Sequence, residues 1–209
     1  MDCINVGAGA LDGPLVRKSR LLKRGVEAPP PTMWNIRLLD KLEFGEVIQM
    51  LRLRPYNVND VDKVLSWSRD ERAFYKWSAG VLGEYPITKE QFGFVNNLMA
   101  FTAIDDDDLV GFFTMRRPTE SFDELRFGFV VVDPEKRGKG YGKSMLQLGV
   151  KFAKEIYGAK KVSLGVFENN KSAYFCYKAV GFQDVVLEET EKYVVLGEEW
   201  KCLELEMTL

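Results

Sequence analysis

The residues best suited to chemistry lie between an apolar run and a helical pattern: Val130, Val131, Val132, Asp133, Pro134, Glu135, Lys136, Arg137, Gly138, Lys139, Gly140, Tyr141, Gly142, Lys143 and Ser144. Glycines at alternate positions let the backbone take φ > 0 and approach a ligand closely, so successive N–H groups can point into one anion-binding concavity. A helix beginning there adds unpaired N–H groups and the positive end of its dipole. Arg137, Lys139 and Lys143 add charge. The stretch has the composition of a phosphate cradle.

Two common nucleotide motifs do not fit it. A Walker A loop needs a glycine where Arg137 stands, and a dinucleotide fingerprint needs one where Lys143 or Met145 stands. The chain also contains no histidine. Ser-His-Asp and Cys-His catalysis are therefore excluded, and any acid or base must be Tyr, Asp, Glu, Lys, Cys or water. Cys3, Cys176 and Cys202 are odd in number and far apart, which gives neither zinc-ligand spacing nor a disulfide framework and predicts a reduced, metal-free, cytoplasmic protein.

The cradle matches Arg137-x-x-Gly140-x-Gly142 after a Val-Asp-Pro strand end. About thirty residues later come Asn170, Ala173, Tyr177 and then Gly181-Phe182. In these two motifs and their order the chain resembles the GNAT superfamily of N-acetyltransferases, and in layout the branch containing ribosomal-protein N-terminal acetyltransferases. The resemblance implies acetyl-CoA as cosubstrate and no metal. It also implies direct attack by a primary amine in a ternary complex. Arg137, Gly138, Lys139, Gly140, Tyr141, Gly142 and Lys143 would hold the pyrophosphate, and the main chain of Val130, Val131 and Val132 the pantetheine arm. Asn170 and Ala173 would complete the cofactor site. Tyr177 matches the usual general acid. A free phenol titrates near 10 and a thiol near 8.5, so full proton transfer to the leaving thiolate is uphill by about 2 kcal/mol, and hydrogen-bond donation is the alternative role. The carboxylates that relatives place at Gly165 or Arg126 are missing here. Glu124, two residues before Arg126 and on the same strand face, is the best substitute base.

The elements that must position these groups follow from the pattern. Met50 to Pro55 reads as a first strand, and Asn59-Asp60 as the cap of a helix carrying Val61, Val64, Leu65 and Trp67. A second helix holds Phe74 and Trp77; the resemblance implies that this helix pair overhangs the acceptor pocket, which Trp67, Phe74, Tyr75 and Trp77 could line, with core the better reading for the aromatics. Thr88 to Gln91 is a capping box. Residues 99–104 and 109–115 form a hairpin around a solvated acidic turn, Asp105 to Asp108. The apolar run 124–132 is a central strand, and Met145, Leu148, Phe152 and Ile156 recur at helical spacing after the cradle. Residues 161–167 are a strand, 170–180 a helix capped by Asn170, and 185–196 and 200–207 a closing hairpin. The fold class is α/β (α+β), with a mixed sheet of about seven strands flanked by helices.

A net charge of −2 gives no basic excess for nucleic acid, and no uncharged stretch is long enough to span a membrane. The resemblance covers about residues 50–209. Residues 1–49, with Arg17-Lys-Ser-Arg20 and Ala28-Pro-Pro-Pro31, read as an extension, so a chain starting at Met50 is expected to fold and bind CoA. The acceptor, a small amine or a protein N-terminus, is left open, as are a homodimer and a noncatalytic acyl-CoA-binding role.

Overall fold

The computed structural model describes residues 36–37, 51–118 and 122–209. The proposed extension and its basic and proline-rich stretches, apart from residues 36 and 37, lie outside the described residues. One mixed sheet runs in the order β1 (Ile36–Arg37), β2 (Leu51–Pro55), β3 (Met99–Asp105), β4 (Asp108–Arg116), β5 (Glu124–Val132), β6 (Lys161–Phe167), β9 (Glu198–Thr208) and β7 (Gln183–Asp184). β8 (Lys192–Val195) pairs β9 separately. Neighbours are antiparallel except β5 and β6, which are parallel. Two strands more than expected arise for local reasons. Ile36 and Arg37 add an edge to β2. The closing hairpin's first strand is split: Val185 donates to Glu204 O and Cys202 to Glu191 O, so the residues between loop out, and Val186 is 95% exposed.

Strand alternation sends side chains to two cores. On one face Phe101, Phe113, Phe127 and Leu205 pack against α4 (Tyr141–Lys151) and α5 (Lys171–Val180). On the other, Phe112 and Phe129 meet α1 (Val61–Leu65), α2 (Glu71–Ser78) and α3 (Lys89–Phe92). Trp67 and Phe74 are core on this face.

Caps account for the helix starts. Asp70 Oδ1 accepts from Ala73 N at 2.7 Å, and Thr88 and Gln91 bond reciprocally in the expected box. Three capping or periodicity expectations are corrected. Asn57, not Asn59 or Asp60, caps the turn before α1, while Asp60 pairs with Arg54. After α4 the chain widens into a π turn at Phe152–Tyr157, which rotates Ile156 off the buried stripe and leaves it 48% exposed. Asn170 occupies the N-cap position of α5, yet its side chain makes no capping bond. Among the described residues Cys176 is a free thiol. Among the described residues no helix is long and apolar enough to cross a membrane.

Candidate active site

β5 and β6 pair only from Glu124–Lys161 to Arg126–Ser163 and then part. The separation has a local cause in β5. Phe112 pairs Val131 and Thr114 pairs Gly128, so Phe113 alone faces two residues, Phe129 and Val130. This is a β-bulge, and Phe129 sits in it at φ 48. A bulge bends its strand, and here β5 leaves β6 while β6 stays paired to β9 along its whole length. Asp133 N donates to Val110 O, so by alternation the main chain of Val130 and Val132 faces the opening.

The opening is a cleft of about 570 Å³. At its C-terminal end lies the glycine loop. Gly138 and Gly140 have φ of 77 and 86, and a Cβ on either would meet nothing within 4 Å. They are glycine for backbone reasons. Gly142 is glycine for space, since a Cβ there would lie 3.3 Å from Cys176 Sγ and 3.5 Å from Val132 Cγ2. Gly140 precedes α4 without a side-chain cap, so the first-turn N–H groups remain available to an anion.

The acidic turn is not merely solvated. Asp108 pairs with Lys136 at 2.7 Å, and Asp105 accepts from the Tyr141 hydroxyl. Both contacts tie the β3–β4 turn to the cradle. Arg137 Nε donates to Val132 O at 3.3 Å, and Lys143 makes no ion pair among the described residues.

Val130, Val131, Val132, Arg137, Gly138, Gly140, Tyr141, Gly142 and Lys143 line the cleft, and so do Asn170, Ala173 and Tyr177 from the facing side. Lys139 does not. Tyr177 is 7% exposed, and its hydroxyl makes no hydrogen bond to the described residues. Burial, and secondarily Cys176, push its pKa well above the ordinary phenol value. Such a hydroxyl keeps its proton and serves as a donor.

Glu124 stands elsewhere. It lies at the paired end of the strands, outside the cleft wall, and its carboxylate accepts from Ser163 Oγ at 2.5 Å and pairs with Lys161 at 3.0 Å. It shares a strand face with Arg126 by alternation, at the end of β5 that does not line the cleft. The two positions at which the resemblance implies a carboxylate are also accounted for. Arg126 makes a bidentate pair with Glu204, both bonds 2.7 Å. A Cβ on Gly165 would lie 2.9 Å from Arg126 Nη2 and 3.3 Å from Glu204 Oε1. The pair fills the space a side chain at 165 would need.

Sequence reasoning missed Lys76 of α2 and ranked Trp77 as core ahead of pocket lining. Lys76 and Trp77 line the cleft, Trp77 Nε1 donates to Phe129 O at 2.8 Å, and Lys76 Nζ donates to Asn169 O at 3.1 Å. Their helical spacing with Phe74 looks like core, and only the bulge reveals the carbonyl that Trp77 meets. Beside them Arg72 bonds Glu198 at 2.8 and 3.0 Å and lies 5.1 Å from the centre of the Trp200 ring, which straps α2 to β9.

A splayed parallel pair, a bulge and a glycine cradle at a helix N-terminus meet in one cleft. Residues 61–182 match the model of the Acetyltransferase (GNAT) family, and the chain belongs to that family. It is 35% identical over 83 residues to a spermine/spermidine N(1)-acetyltransferase of Bacillus subtilis, a match covering 37% of this chain and 55% of that protein. The chain thus spans about half the length of the curated relatives it matches. Its fold is similar to that of spermidine N-acetyltransferase from Vibrio cholerae in complex with CoA and spermine. The TM-score is 0.64 at 17% identity, over 76% of this chain and 95% of the other. A GNAT-family acetyltransferase from Bacillus anthracis gives 0.61 at 20% identity, over 76% and 94%.

Proposed function

We propose that this chain transfers an acetyl group from acetyl-CoA to a primary amine within a ternary complex. The observation that carries the reading is the cleft itself: it opens between β5 and β6, ends at the cradle, and is lined by Tyr177 from α5. The cradle N–H groups, Arg137 and Lys143 would take the pyrophosphate. The exposed main chain of Val130 and Val132 would bond the pantetheine amides. The amine nitrogen then attacks the thioester carbonyl carbon, the C–S bond breaks, and the departing thiolate accepts a hydrogen bond from Tyr177. With Glu124 engaged at the far end of the strands, the amine gives up its proton to water.

The acceptor enters from the α2 side. Among the described residues, Lys76 is the one charged side chain lining the cleft away from the cradle. Polyamines, the acceptors named for the relatives, would bring further ammonium groups against it. Like charges brought together there repel one another. A single-amine acceptor, a protein N-terminus or a small molecule, avoids that cost. We therefore assign the chain a monoamine acceptor. Thiol release from acetyl-CoA, measured with a free-N-terminus peptide, a simple primary amine and spermidine, tests this. kcat/KM for a monoamine exceeds that for spermidine by about tenfold or more, and Lys76→Glu narrows the gap. Spermidine as the best substrate would reject the acceptor class, and CoA binding without thiol release for any amine would instead support a noncatalytic role.

A further inference from the structure

Phe175 differs from the other large apolar side chains of the cleft wall. It lines the cleft yet is 65% exposed, whereas Tyr177 on the same helix is buried. Helical geometry explains the contrast. Ala173, Cys176 and Tyr177 share the inward face of α5, and Phe175 falls on the flank beside Cys176. Cys176 is the residue nearest Gly142 of α4, since a Cβ on that glycine would lie 3.3 Å from its Sγ. Lys143 also acts electrostatically on the Cys176 thiol. The ring of Phe175 therefore stands at the mouth of the cleft, next to the first turn of α4. Tyr174 meets it edge-on, with ring centroids 5.4 Å apart.

We propose that Phe175 is the stacking platform for the adenine ring of CoA. The inference rests on the reading of the cleft as a CoA site. If the cradle holds the phosphates, the nucleoside end of the ligand must lie at the mouth, where the cations of the cradle give way to solvent. Among the described residues, Phe175 is the one strongly exposed aromatic ring lining the cleft. An aromatic face of this kind offers a purine stacking contact and recovers part of the apolar exposure.

Calorimetric titration of the full chain separates the two halves of the ligand. The probes are CoA, adenosine 3′,5′-bisphosphate and 4′-phosphopantetheine. Phe175→Ala weakens CoA and the adenosine bisphosphate by about tenfold and leaves phosphopantetheine unchanged, while Phe175→Trp restores both. Unchanged CoA affinity in Phe175→Ala would overturn the assignment. So would an equal loss for all three probes, which would mark damage to α5. Failure of the unsubstituted chain to bind CoA would overturn the CoA reading and this assignment together.

Discussion

β5 and β6 behave in two ways along one pair of strands. At their start the strands are paired, and the side chains between them are polar and interlocked: Lys161 with Glu124, Glu124 with Ser163, and Arg126 with Glu204. Beyond Arg126 the strands are open, and the walls are valines, aromatics and glycines with main-chain groups turned inward. The closed end spends its polar groups on one another, so it holds the strands. The open end spends few of them, Phe129 O on Trp77 and Val132 O on Arg137, so the rest can bind. Arg116, opposite Arg126 on β4, shows how crowded the closed end is, since burial and then Arg126 hold its guanidinium down to about 10.

The largest effect is expected at the closed end. Glu204→Gln leaves the buried Arg126 guanidinium without its carboxylate and lowers stability by about 3–5 kcal/mol in urea unfolding. Arg126→Met with Glu204→Leu recovers most of that loss, because an apolar pair leaves no buried charge. If Glu204→Gln were as stable as the parent, the closed end would not be the clamp described here.

This contrast also shows what the sequence makes legible. The cradle and Tyr177 are readable because their chemistry depends on residue type: glycine where φ is positive, a phenol where a proton is needed. The splay is not readable, because Phe129 and its neighbours spell an ordinary strand and the bulge exists only in register with β4. For the same reason Trp77 looks like core, and Glu124 looks available until its partners on β6 are seen. Periodicity and capping signals give the five α-helices among the described residues and most of the strands. It does not give the π turn that exposes Ile156, nor the loop that divides β7 from β8.

At the open end, Tyr177→Phe slows kcat by about 100-fold while KM for acetyl-CoA stays within about twofold. The pH profile sharpens this. Burial disfavours the phenolate, so the proton is retained above the ordinary titration near 10. Activity therefore rises with deprotonation of the amine and shows no falling limb from Tyr177 below about pH 10. A falling limb near pH 8 to 9 that disappears in Tyr177→Phe would assign the hydroxyl a lower pKa than its surroundings allow.

The smallest effect belongs to the acidic turn. Asp108→Asn frees Lys136 from a solvent-screened pair and changes stability little. The freed ammonium then strengthens CoA binding by about threefold at low salt, and the gain fades as salt is added. Weaker binding would instead mean that the pair positions the cradle.

The most direct test of the account is calorimetric titration of the full chain with CoA beside a Gly140→Glu variant. Position 140 has room for a side chain but holds φ at 86, and a carboxylate there would face the phosphates. The account predicts saturable binding at one site in the parent and a loss of at least about 100-fold in the variant. Equal binding by both, or none by the parent, would contradict it.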